Sequence, residues 1–89
     1  MPNVIATHAV GNMETWLAGG DERTALFKKF CRAYRVYRHP GQAKVSVFFE
    51  DADMAKLEAT LAEPAAAAAK ARHTVLDPIE VYVEVQNAR

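Results

Sequence analysis

Two runs of strict alternation bracket a helical middle and limit the folds open to this chain. Residues 44–50, KVSVFFE, set Val45, Val47 and Phe49 on one face against Ser46, Phe48 and Glu50 on the other. Residues 79–85 do the same, with Ile79, Val81, Val83 and Val85 opposed to Glu80, Tyr82, Glu84 and Gln86. A period of two marks β-strands, because successive side chains point to opposite faces. Between the runs, Asp51 to Asp53 offers an N-cap for a helix from about Met54 to Ala62. Glu63-Pro64 breaks that helix, since proline disfavours the α conformation in the residue before it. Proline also suits the first position of a new helix, and residues 65–72, rich in alanine, supply one. Asp77-Pro78 reads as the turn before the final strand.

The N-terminal half repeats this order. Val4 to Val10 reads as a strand ended by Gly11-Asn12, with Val4, Ala6, His8 and Val10 sharing a face. Met13 to Ala18 reads as a first helical turn carrying Trp16. Gly19-Gly20 interrupts it, and Asp21 is the expected N-cap of a helix from Glu22 to about Cys31. Leu26, Phe27, Phe30 and Cys31 have helical spacing. Tyr34 to Arg38 is a second strand, and His39-Pro40-Gly41-Gln42 a strong turn. The order is β-α-β-β-α-β. It predicts a single α+β domain, residues 1–89, of ferredoxin-like type: an antiparallel four-stranded sheet with its helices on one face. The other face is left bare, with Phe48 and Tyr82 as candidates for it. An uncovered apolar face calls for a partner, most simply a second copy.

Composition narrows the function classes. The net charge is zero, so no global field draws the chain to nucleic acid or to an anionic membrane. Near-neutrality also removes a barrier to self-association. Cys31 is the one cysteine, which excludes an internal disulfide and fits a reducing compartment. The start of the chain lacks a basic leader segment, and the run Ala65 to Ala69 is too short to cross a bilayer. These features lead us to expect a cytoplasmic protein. No Cys pair exists and no two of His8, His39 and His73 have helical ligand spacing, so no metal or other cofactor is expected. Gly19-Gly20 lacks the surroundings of a phosphate loop.

One charge asymmetry stands out. Lys28 to Phe49 contains Lys28, Lys29, Arg32, Arg35, Arg38 and Lys44 and no acid, with Tyr34 and Tyr37 interleaved. A single-strand RNA surface is one reading, since RNA-recognition motifs share the element order. Against it, KVSVFFE lacks the glycine-aromatic pattern of that motif. Charge protection of an edge strand is the alternative, or pairing of Arg35 and Arg38 with Glu80 and Glu84, across a dimer.

His8 is the odd polar member of an apolar face. It is a candidate acid/base group, or a histidine satisfied by a backbone carbonyl. His73 follows Arg72 at a helix end, where a cation complements the dipole.

The strand bearing His8, the following Trp16, the hairpin ending KVSVFFED, the alanine-rich helix broken at Glu-Pro and the closing DPIEVYVEV together resemble the dimeric α+β-barrel superfamily. That group includes antibiotic-biosynthesis-monooxygenase-like and polyketide-cyclase-like proteins, and the resemblance spans about residues 4–86. It implies two sheets packed face to face in a homodimer, with a pocket between each protomer's sheet and helices. Carried over residue by residue, it makes His8 the candidate catalytic group. Trp16, Phe27, Phe30 and His73 become candidate ligand contacts. The candidate dimer contacts remain those read from the residues themselves: Phe48 and Tyr82 on the uncovered face, and Arg35 and Arg38 with Glu80 and Glu84. The cyclase branch can carry a tyrosine and a histidine around its helix break; here those positions are Thr60 and Ala66, which argues against a plant-type cyclase. The expectation is a small dimeric protein with a pocket for an aromatic or polyketide-like molecule, related to cofactor-independent monooxygenases or cyclases. A non-catalytic binding or interaction module of the same fold is the alternative.

Overall fold

A computed structural model describes residues 1–86; residues 87–89 of the expected domain lie outside the described part. The elements are β1 (Val4–Val10), α1 (Met13–Ala18), α2 (Gly20–Phe27), β2 (Ala33–Arg38), β3 (Lys44–Glu50), α3 (Met54–Leu61), α4 (Pro64–Arg72) and β4 (Val75–Val83). Each expected helical stretch is thus two short helices. Local chemistry sets their ends. The Asn12 side chain accepts from Thr15 N at 2.9 Å to cap α1, and Asp53 accepts from Lys56 N at 3.1 Å to cap α3. Glu63 is extended and Pro64 opens α4. Asp21 is not the N-cap of α2. Gly19 holds that position and Asp21 lies in the first turn, because the helix starts earlier than the acid suggests.

All strand pairs are antiparallel, in the order β2-β3-β1-β4. The final strand begins at Val75 and runs through Asp77-Pro78, where a turn was expected, then ends at Val83, short of Val85. Two things permit this. The strand β4 is at an edge, where a residue without N–H costs no interior ladder bond. The pairing with β1 also shifts register between Thr7 and Ala9.

Register sorts the side chains into two faces. One row across the sheet is Arg35, Phe48, Ile5 and Tyr82; the next is Tyr37, Ser46, Thr7 and Glu80. No helix covers these rows. Ile5, Tyr37 and Tyr82 are exposed, and Leu76, paired with Ala9, extends the same apolar face. The opposite face carries Val4, Val10, Val45, Val47 and Phe49, all buried against Trp16, Phe30 and Leu57. Phe49 anchors this core, with ring centroids 4.9 Å from Phe27 and 5.1 Å from Phe30, both edge-on.

Two of the expected dimer contacts, Arg38 and Glu84, lie elsewhere than the bare face of the sheet. Arg38 pairs with Val45, so it points to the helix side of the sheet and not to the bare face with Arg35. Residues an odd number apart in one strand cannot share a face. Glu84 lies past the end of β4, and its Oε1 accepts from Asn3 N at 3.3 Å. Arg35 and Glu80 sit on opposite edge strands, about 14 Å apart at the usual strand spacing. They cannot pair within one chain.

Candidate functional site

A cavity of about 290 Å³ separates the middle of the sheet from the helices. Its size is near the lower end for small-molecule sites. Val4, Ala6, His8, Val47 and Val81 form its floor; Trp16, Arg23, Phe27, Ala66, Ala69 and His73 belong to the helical side. Alanines create the space. Ala66 and Ala69 are the buried face of α4, and a methyl group there fills far less than a leucine would.

His8 is buried in the floor, its ring centroid 6.0 Å from that of Trp16 in an edge-on arrangement. Its Nδ1 lies 2.9 Å from the carbonyl of Ala9. A carbonyl only accepts, so Nδ1 carries the proton and Nε2 presents its lone pair. Nε2 has no protein partner among the described residues. Burial is the largest influence on the ring and lowers its pKa. The Ala9 carbonyl opposes that shift, and the charges of Arg23 and Lys70 reinforce it. His8 is therefore a neutral acceptor at pH 7.

The unfolded chain binds a proton at His8 more readily than the folded one, so the stability held by the neutral ring is complete above the ordinary value of 6.5 and is lost as pH falls through the lowered folded value. We expect the melting temperature to drop between pH 7.5 and 5, and to drop less in His8→Gln; equal drops would contradict this.

A second polar chain runs along the helical side. Arg23 Nη1 is 3.2 Å from His73 Nδ1 in a buried contact. A guanidinium only donates, so Nδ1 accepts, and Nε2–H is left to donate to Glu22 Oε1 at 2.7 Å. The other Glu22 oxygen receives Arg72, which is the main cause of the lowered Glu22 pKa. Arg23 also lies over Trp16, with Cζ 3.8 Å from the ring centroid. Trp16 Nε1 and Arg23 Nε are buried without a partner among the described residues.

Gly19 sits against this chain. Its φ of −83° suits any residue, so the requirement is space: a Cβ there would lie 2.3 Å from His73 Nε2. Because that ring is held on both nitrogens, Gly19→Ala should lose about 1–3 kcal/mol, read by denaturant unfolding. A loss within error would mean that the ring yields freely.

The candidate catalytic group His8 and, of the expected ligand contacts, Trp16, Phe27 and His73 line this cavity. Phe30 does not. The helix α2 ends at Phe27, and Phe30 turns into the core beneath Phe49 instead. Arg23 was absent from the expected set. Its signal was its place on the stripe 23, 26, 27, 30, where a cation falls in register with Leu26, Phe27 and Phe30. Cys31 is half-buried and donates to the Phe27 carbonyl at 3.2 Å, and burial pushes its pKa up, away from a thiolate role. Among the described residues no group of three or more His, Cys, Asp or Glu could hold a metal, and no helix is long and apolar enough to cross a membrane.

No family model and no curated protein sequence matches the chain. Solved structures do match. A candidate antibiotic biosynthesis monooxygenase from Caulobacter crescentus CB15 superposes with a TM-score of 0.70 at 19% identity, covering 93% of this chain and 86% of that one. The chain has the antibiotic biosynthesis monooxygenase-like fold. A second structure described as an antibiotic biosynthesis monooxygenase gives 0.63 at 17% identity, covering 99% of this chain and all (100%) of that one. A NIPSNAP domain protein from Burkholderia xenovorans gives 0.68 at 19% identity, covering 99% and 96%. The ferredoxin-like α+β architecture expected from the sequence is thereby established. Identities this low speak for fold and not for chemistry.

Proposed function

We propose that the protein is a face-to-face homodimer in which each protomer holds a compact aromatic or polyketide-like molecule between its sheet and helices, with His8 as the proton acceptor. The observation that carries this reading is the cavity itself: apolar walls converge on one neutral imidazole whose Nε2 is unpartnered among the described residues. The chemistry open to such a site is removal of a proton from a phenol or from carbon beside a carbonyl. That step precedes both oxygenation by O2 and ring closure. The fold neighbours described as monooxygenases favour the first.

The bare sheet face supports the dimer. It is apolar at Ile5, Phe48 and Leu76, with Arg35 at one edge and Glu80 at the other. A two-fold axis lying in the interface and parallel to the strands stacks this face on its copy with opposite edges together, and matches those charges. An apolar centre whose two cations, Arg35 and Lys44, are balanced by Glu50 and Glu80 on the same face fits a second copy better than RNA, which asks for an excess of cations.

A specific observation also supports a binding module without chemistry. Among the polar groups of the wall, both His73 nitrogens are engaged, Lys70 is paired with Asp77 at 2.6 Å, and Arg23 only donates. His8 is left as a lone base. The ketone 2-tetralone separates the readings. Calorimetry should show one molecule bound per chain, lost in Ala66→Phe with the circular dichroism unchanged; undiminished binding in that variant would overturn the cavity assignment. In D2O, wild type should exchange the protons beside the ketone about a hundredfold faster than His8→Ala. Equal exchange with binding intact would leave the module reading.

A further inference from the structure

A buried guanidinium without a carboxylate is the least explained charge in the molecule. Arg23 is 6% exposed and lines the cavity. No acidic oxygen lies within 4.0 Å of it among the described residues. Its sequence neighbour Glu22 is the obvious partner, yet the two Glu22 oxygens are given to Arg72 and to His73 Nε2. Lys70, the other cation of the wall, is matched by Asp77. What holds Arg23 is one bond to His73 Nδ1 and the face of Trp16, while its Nε–H has no partner among the described residues. A charge taken out of water is costly unless it is paired. Here the pairing group is missing from the protein side, and the empty volume lies beside the charge.

We propose that the cavity selects a ligand with an ionised oxygen, a carboxylate or an enolate-type oxyanion, on a flat apolar body, and that Arg23 is the residue that receives the anion. The inference rests on the reading of the cavity as a ligand site, but on no catalytic step. Three features support it. Arginine presents N–H groups in a planar fork that fits two oxygens of one group, which a lysine does not. The fork is held in advance, because Trp16 fixes its plane and His73 fixes one of its ends. Apart from the two histidines and Lys70, which Asp77 already pairs, the remaining wall is aliphatic and aromatic, a setting of low dielectric in which one unpaired fixed cation discriminates strongly between charged and neutral ligands. A neutral His8 opposite adds an acceptor for a ligand hydroxyl without repelling an anion as a carboxylate would.

The test compares two probes of nearly the same shape, 2-naphthoate and 2-naphthamide, by calorimetry at pH 7.5 on the full chain. Wild type should bind the carboxylate at least tenfold more tightly than the amide. Arg23→Met should bind the two equally, and Arg23→Lys should keep part of the preference. Equal affinities in wild type, or tighter binding of the amide, overturn this inference and leave the cavity reading standing. Binding of neither probe removes both. Should Arg23→Met fail to fold, the wild-type pair together with Arg23→Lys still decides the matter, since a preference unchanged by Lys would place the anion elsewhere.

Discussion

Trp16→Ala should cost about 3–5 kcal/mol of stability, the range found when a large aromatic is cut back to a methyl in a closed core. Trp16 is 1% exposed and is the largest of the fully buried side chains. It closes the end of the hydrophobic cluster, stands edge-on to His8 and supplies the face on which Arg23 rests. Its removal therefore enlarges a space that is already partly empty and takes the covering from a buried cation. Domains of this length keep only about 5–15 kcal/mol in all. At roughly 4–8 °C per kcal/mol, a thermal melt followed by circular dichroism should fall by about 15 °C or more. Trp16→Phe should fall much less. A drop under about 5 °C for the alanine variant would mean that the helical side of the cavity packs loosely and does not position Arg23.

Phe48→Glu should convert the proposed dimer to monomers. Phe48 lies in the row Arg35, Phe48, Ile5, Tyr82, on the interior strand β3 and near the middle of the uncovered face. In a two-fold interface each substitution enters twice. With about 2 kcal/mol for each buried anchor lost, the dissociation constant rises about a thousandfold. Sedimentation at micromolar concentration should then give the mass of one chain. The helix side of the sheet is untouched by this change, so the cavity should still bind 2-tetralone. A persistent dimer in Phe48→Glu would show that association uses another surface.

Much of this molecule is legible from its sequence because the strands obey one rule. The alternation of residues 44–50 and of residues 79–83 places Val45, Val47 and Phe49 inside and Phe48 and Tyr82 outside, and the register shows the same sorting. The ends of elements are harder to read. Pro78 looks like a turn, but an edge strand tolerates it. Phe30 keeps helical spacing after the helix has stopped at Phe27, so its periodicity points to a wall that it does not reach. Arg38 was grouped with Arg35 by charge, although counting along the strand already separates them.

The site divides in the same way. His8 was visible as a polar residue on an apolar face. Arg23 shows in the sequence only as a cation in register with Leu26 and Phe27, and the two acids beside it make it read as a solvated surface group. Its burial is a tertiary fact: Glu22 is drawn outward to Arg72 and His73, the small residue at Gly19 lets the His73 ring come close, and Trp16 offers its face. Helix spacing alone carries none of these contacts.

The single tryptophan makes it directly measurable whether the space between sheet and helices receives a ligand. In a nitrogen-15-labelled sample titrated with 2-tetralone, the indole signal of Trp16 and the ring signals of His8 should move together with occupancy. The amides of Phe48 and Tyr82 should stay in place. Shifts confined to the Phe48 and Tyr82 face, with Trp16 and His8 unmoved at saturation, would contradict the account.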